Sequence, residues 1–261
     1  LVAWDFNHLP IAQTSFAPFF GEQHRSPVID LSAGYEAYIR ERREAGTEQI
    51  KKNGNLMRRL EREVGPLRFI MHSPDKAILE KLFQWKTGQF RQNHWRDLFS
   101  IPWVRHTMQG IHDAQTADFS GMLSGLYAGD QLVAAHFGMR SATVWHYWFP
   151  SYAPAFAKYS PGVMLLLKMT EAAANIGINT IDLGCGEHSY KTRLMNGFVP
   201  TASGSVELAG PVTLVRRLWV QVGKLPFKVR CLVGKTPMGT LRRRLRKRVA
   251  KTAVPFTPNV L

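Results

Sequence analysis

Along the chain, the spacing of apolar positions changes character several times, and each change predicts a different kind of element. Residues 1–30 are aromatic and proline-rich (Phe16, Pro18, Phe19, Phe20, Pro27) and are expected to lack their partners, while Val28, Ile29 and Leu31 have the pattern of a short strand. From Tyr35 to Val64 the period turns helical. Ile50, Met57, Leu60 and Val64 recur seven, three and four residues apart, with Arg58, Arg59 and Arg62 elsewhere on the cylinder. That pattern predicts an amphipathic helix with a basic face, ended by Gly65-Pro66 and followed by a brief strand over residues 67–71. Ser73-Pro74-Asp75 reads as a helix start: Ser as N-cap, Pro at the first helical position, Asp favoured by the helix dipole. Ile78, Leu79, Leu82, Phe83 and Phe90 mark the buried stripe of that helix, and a second helix is expected over 104–117.

Beyond residue 118 the period shortens to two. Residues 119–128 and 131–139, joined by Gly129-Asp130, and then 143–149 predict three antiparallel strands. Pro161-Gly162 opens a helix that runs through Leu165-Leu166-Leu167 to Asn175 and is closed by Gly177. A buried strand over 180–183, a short helix over 189–196 and a last strand over 202–208 complete the pattern. From Pro74 onward the predicted order is α-α-β-β-β-α-β-α-β, and no internal repeat is visible.

Composition narrows the class. A chain of 261 residues with 45% hydrophobic content buries a core as one large or two small globular domains. The net charge of +15 is concentrated at one end: residues 208–261 hold 13 Lys or Arg and no Asp or Glu. The basicity therefore belongs to the tail. No run reaches the ~20 apolar residues of a membrane helix, because Lys168 and Arg216-Arg217 interrupt the best stretches. Two cysteines, Cys185 and Cys231, form neither a disulfide framework nor a zinc pattern, and the nine histidines show no metal-ligand spacing. The expected setting is the cytoplasm, peripheral at the inner membrane face if the tail binds lipid. The chain starts at Leu1 and enters directly on an apolar segment, so its first residues are expected to be a fragment edge.

Asp182-Leu183-Gly184-Cys185-Gly186 on its own looks like the glycine turn of a class I methyltransferase. That turn normally opens its domain, yet 75 residues follow here, and Glu187-His188 stand where a further small residue should let a helix approach the cofactor. The element order gives a better account. With the basic Arg58-Arg59-Leu60-Glu61-Arg62 helix, the Lys158-Tyr159-Ser160-Pro161-Gly162 turn entering an apolar helix, and the glycine turn leading to Tyr190-Lys191, the chain resembles the BioF2-like or cellulose-biosynthesis-type GNAT acetyltransferases. These are relatives of the Fem peptidoglycan aminoacyltransferases.

The resemblance covers roughly residues 28–206 and implies an α+β GNAT acyltransferase fold, with a mixed, mainly antiparallel sheet flanked by helices. It divides the chain into the remainder of a first GNAT-like lobe with the basic helix (1–72), the acyltransferase domain (73–208) and a basic amphipathic extension (209–261). It also implies direct transfer from acetyl-CoA or another acyl-CoA to an amine or hydroxyl of a sugar, exopolysaccharide or cell-envelope precursor, with no metal.

The candidate site follows from both lines. A helix N-terminus presents unpaired N–H groups and a partial positive charge to a pyrophosphate, so Tyr159, Ser160, Pro161 and Gly162 are cofactor-binding candidates, joined by Gly184, Gly186 and Lys191. The ordinary Gln/Arg-x-x-Gly-x-Gly phosphate loop of GNAT proteins is absent. Tyr190 is the candidate acid for the departing thiolate, or else a packed aromatic; Lys191 holds a substrate anion, or else is solvated. His146 and Glu187 are the candidate bases. His146 lies within Trp145-His146-Tyr147-Trp148, where alternate side chains face opposite sides of the sheet. Asp182 is expected to cap the glycine turn.

In the tail, Leu214, Val215, Leu218, Trp219 and Val222 form an apolar stripe among basic residues, and Leu241 to Arg248 is almost wholly basic. Such a segment suits an anionic membrane surface, a solvated extension, or an RNA partner. Transfer from aminoacyl-tRNA and a non-catalytic module in exopolysaccharide assembly remain alternative functions.

Overall fold

The computed structural model describes residues 3–186, 188–210, 213 and 216. Two compact units divide the chain, residues 25–200 and residues 1–24 with 201–260. Strand β1 (Ala3–Pro10) lies in the smaller unit, while β2 (Phe20–Asp30) runs from the smaller into the larger. The larger unit continues with α1 (Tyr35–Glu44), α2 (Gln49–Glu63), β3 (Leu67–Ile70), α3 (Lys76–Gln92), α4 (Pro102–Asp113), β4 (Ser120–Ala128), β5 (Gln131–Arg140) and β6 (Val144–Tyr152). After these come α5 (Pro161–Asn175), β7 (Thr180–Asp182), α6 (Ser189–Leu194) and β8 (Gly197–Glu207), the last running back into the smaller unit. From α3 onward this is the order the sequence predicts.

In the larger unit the strands stand in the order β2-β7-β6-β5-β4-β3. All neighbouring pairs are antiparallel except β6 with β7, which are parallel. The sheet is thus mixed and mainly antiparallel, flanked by helices. The methyltransferase alternative fails here, because Ile181 lies on an interior strand hydrogen-bonded to β2 and β6 and not on the first strand of a doubly wound sheet. Helices cover both faces. Leu126 and Ala134 join the core that α5 fills with Met164, Leu165, Leu166 and Met169, whereas Gly125 faces Ile78 of α3, which a Cβ there would meet at 3.9 Å. Tyr38 of α1 and Leu60 of α2 belong to the same core as α5.

Four expectations needed correction. The helical pattern over 35–64 is two helices, parted near Gly46, whose φ of 74° no β-carbon residue adopts without strain. The cap of α3 is Asp75, which accepts from the Ala77 N–H at 2.8 Å; Ser73 Oγ accepts from the Asp75 N–H. Both residues suit a cap, and only the backbone path selects between them. The apolar β2 begins at Phe20, earlier than its sequence pattern shows. The aromatic N-terminal residues do have a partner: β1 pairs with β8 from Ala3↔Glu207 to Pro10↔Thr201, so the last strand starts at Gly197 and not near Ala202. In that smaller unit Trp4, Phe6 and Phe16 pack as a ring cluster, and Arg216 forms ion pairs with Asp5 and Glu207. The tail residues proposed for membrane contact, Leu214 to Arg248, lie outside the described residues.

Candidate active site

Strands β6 and β7 hydrogen-bond at only three positions, Val144↔Thr180, Trp145↔Ile181 and His146↔Asp182. Beyond that point β7 ends while β6 continues to Tyr152, so the two strands part at His146. At the same place the β5–β6 pairing slips: Phe137 faces Phe149, and Met139 faces His146, leaving Tyr147 and Trp148 opposite Gly138 alone. This bulge breaks the alternation of side chains along β6. Trp145 and Tyr147 join the α5 core, while Phe149 packs its ring on Phe99 at 5.3 Å. His146 and Trp148 stay half-buried, their rings 6.4 Å apart. The set with His146 and Trp148 is thus more exposed than the set with Trp145 and Tyr147.

His146 Nδ1 lies 3.2 Å from Asp182 Oδ2. Asp182 also accepts from Ser26 Oγ at 2.6 Å and from the Gly184 N–H at 2.9 Å, both on Oδ1. The second of these is the turn cap expected from the sequence. Burial alone would raise the Asp182 pKa; the hydrogen bond and charge of His146, the Ser26 hydroxyl and the Gly184 N–H outweigh it and hold the carboxyl below its ordinary value. Gly184 and Gly186 have φ of 71° and 119°, the left-handed side of the map that lets this turn form.

Lys191 is buried, 4% exposed, and its Nζ donates to the carbonyls of Gly184 at 3.0 Å and Cys185 at 3.2 Å. It is therefore built into the glycine turn, contrary to the solvated alternative. Burial pushes its pKa down to about 8. Lys86, on α3, is lowered to about 8 by burial and then by the charge of Lys191, and the two together depress His188 after its own burial. Lys86, Ser26 and the tie of Asp182 to His146 were not legible in the sequence. Nothing local signals them, since they sit on elements far apart in the chain.

Tyr190 is half-buried, its ring stacked 5.9 Å from that of His188, and burial pushes its hydroxyl up to about 12. Behind the bulge, His136 is fully buried and stacks flat on Tyr147, ring centroids 4.6 Å apart. Its Nε2 accepts from the Trp148 N–H at 3.2 Å, and burial, then His146 and Lys86, hold its pKa well below the ordinary value, so it stays neutral. Glu187, the second candidate base, lies outside the described residues.

The turn before α5 takes its shape from Ser160, a left-handed residue at φ 55° whose carbonyl accepts from the N–H groups of Val163 and Met164. Pro161 occupies the first helical position. Tyr159 is buried, and its hydroxyl donates to Glu63 of α2, which Arg59 also meets at 2.7 Å. That tie anchors the turn to α2 and commits the Tyr159 hydroxyl. At Gly162 the surroundings are open: a Cβ would meet only Tyr152 Cδ1, at 3.6 Å.

Residues 49–192, from α2 through α6, match the acetyltransferase (GNAT) domain family. The chain belongs to the GNAT acetyltransferase family. This GNAT protein is accordingly an acyltransferase, and GNAT domains typically take their acyl group from acyl-CoA. Every candidate residue lies within the matched span; Ser26 lies outside it. No curated protein matches the sequence. Among solved structures, the C-terminal domain (DUF2156) of a protein from Agrobacterium fabrum described as a lysylphosphatidylglycerol synthetase is similar. It aligns at a TM-score of 0.50 and 13% identity, over 84% of this chain and 71% of that one. A conserved protein of unknown function from Bacteroides thetaiotaomicron aligns at a TM-score of 0.46 and 13% identity, over 76% of this chain and 66% of that one. Among the described residues, no cluster of His, Cys, Asp and Glu is arranged to hold a metal ion, and no helix is long and apolar enough to cross a membrane.

Proposed function

We propose that this GNAT protein transfers an acyl group, in the simplest case acetyl, directly from acyl-CoA to an amine or hydroxyl of a sugar, exopolysaccharide or cell-envelope precursor. The observation that carries the reading is the position of His146: it stands where β6 and β7 part, backed by a carboxylate, on the strand that leads into the N-terminus of α5. The pyrophosphate of the donor would lie at Ser160-Pro161-Gly162, against the helix dipole and the Gly162 N–H. Its pantetheine arm would run into the gap between the strands toward Gly184, Gly186 and Lys191. The half-buried ring of Trp148 beside His146 offers an apolar face to a sugar ring.

In the reaction, His146 Nε2 takes a proton from the acceptor as its nitrogen or oxygen attacks the thioester carbon. A backbone N–H on the edge that β6 frees beyond its pairing with β7 would meet the oxyanion. The tetrahedral intermediate then collapses, the carbon–sulfur bond breaks, and the electron pair leaves on sulfur. A hydroxyl with a pKa of about 12 holds its proton against a thiolate whose conjugate acid lies near ~8.5. Tyr190 therefore serves the sulfur as a hydrogen-bond donor, and the proton that neutralises the thiolate comes from the His146 imidazolium. The balance closes with no covalent enzyme intermediate.

Calorimetry with acetyl-CoA tests the donor. Gly162→Asp should keep the fold, because the added carbon meets only an ordinary contact and an acid suits a helix N-terminus. It should nevertheless weaken acetyl-CoA by about tenfold, since a carboxylate then faces the pyrophosphate. Unchanged affinity would remove this turn from the donor site. Thiol release in the presence of amino sugars and envelope precursors tests the acceptor. Tyr190→Phe should lower kcat by about tenfold with little change in the acetyl-CoA KM, the signature of a hydrogen bond made mainly in the transition state; equal kcat would make Tyr190 structural.

A further inference from the structure

We infer that Asp182, held in place by Ser26, is the positioning residue that makes His146 a base at Nε2, and that the same carboxylate secures the turn carrying Lys191. The inference rests on the reading of His146 as the base and adds to it what sets the ring. The parallel register of β6 and β7 brings His146 opposite Asp182 at the last paired position, where the strands part. An ionised carboxylate only accepts hydrogen bonds, so a ring nitrogen facing it must carry the proton. Nδ1 faces Asp182 Oδ2 at 3.2 Å, which leaves the lone pair on Nε2.

The carboxylate itself has little freedom to turn away. Its other oxygen accepts from Ser26 Oγ at 2.6 Å and from the Gly184 N–H at 2.9 Å, and Ser26 is fully buried on β2. Three donors from three places in the chain thus fix one side chain. Gly184 extends the network, since its carbonyl and that of Cys185 receive the Lys191 ammonium. Asp182 therefore joins the base to the buried cation across one turn.

The partner at residue 182 thus sets which ring nitrogen is free. An amide there can donate as well as accept, so it would let Nδ1 become the acceptor and the proton move to Nε2, where the ring can no longer accept one from a substrate.

Nitrogen-15 histidine NMR on the full chain, read without substrate, tests the positioning. Neutral His146 should carry its proton on Nδ1. Asp182→Asn should shift the neutral ring toward the Nε2-protonated tautomer, and Ser26→Ala, which keeps the charge but frees the carboxylate, should do so less. Turnover of acetyl-CoA by Asp182→Asn should fall about 10- to 100-fold in kcat, and Ser26→Ala should lose about threefold. Neutral His146 protonated at Nε2 in the unaltered protein, a tautomer unmoved by Asp182→Asn, or an undiminished kcat in that variant would each overturn the inference. If Asp182→Asn does not fold, Ser26→Ala decides, and no change in either its spectrum or its kcat overturns it. Failure of the unaltered protein to bind acetyl-CoA would refute the proposed donor, while the NMR measurement would still decide whether Asp182 positions His146.

Discussion

His146→Gln should lower kcat for acyl transfer by about 10³-fold while leaving the dissociation constant for acetyl-CoA within about twofold, because general-base catalysis by a positioned side chain contributes typically ~10²–10⁴-fold. Glutamine keeps a hydrogen-bonding side chain of similar reach toward Asp182 but offers no group that accepts a proton near neutral pH. The half-buried setting of His146 makes the substitution mild for the fold, and thermal unfolding should move by only a few degrees. Steady-state kinetics with calorimetry on the same preparation checks both halves. A variant with undiminished kcat would take His146 out of the chemistry and leave its contact with Asp182 as a structural tie.

Gly138→Ala should be the costliest small substitution near the site, destabilising the protein by about 3 kcal/mol through overpacking. The added carbon would lie 2.1 Å from the His146 carbonyl oxygen and 2.7 Å from His136 Cε1. The His136 ring is wedged on Tyr147 and accepts the Trp148 N–H, and the carbonyl belongs to the strand itself, so neither can give without separating β5 from β6 at the bulge. Gly125→Ala on the neighbouring strand is the control. There the nearest atoms are the ends of the Leu132 and Tyr127 side chains at 3.3 and 3.4 Å, which can shift, and the loss should stay below about 1 kcal/mol. Chemical denaturation of the two variants separates them; equal midpoints would mean that the bulge is pliable. Because the same displacement moves His146 away from Asp182, Gly138→Ala should also depress kcat beyond what its stability loss explains.

Much of the fold was legible because its signals are local. The shift to a period of two after residue 118, the Pro161-Gly162 start and the close at Gly177 each depend on neighbours a few residues away, and α5 runs from Pro161 to Asn175 as expected. Asp75 and Ser73 show the limit of such signals: both are good caps within one turn, and the chain's approach to α3 chose between them. The glycine turn is a harder case. Asp182 capping Gly184 was readable, since the two are two residues apart, whereas the same motif viewed alone looks like the glycine turn of a different fold.

The sequence by itself determined the order of elements, the glycine turn, the helix start at Pro161 and a short roster of residues able to move protons. Tertiary structure alone decided which of them meet. His146 and Asp182 are 36 positions apart, and Ser26 is 156 positions from Asp182. Their contact follows from the parallel register of β6 on β7 and from β2 flanking β7 on its other edge. The bulge opposite Gly138, next to His146, likewise exists only in the pairing of two strands. Periodicity and capping act over a few residues along the backbone, whereas register is set by which buried surfaces pack together, and that choice is made by the whole core at once.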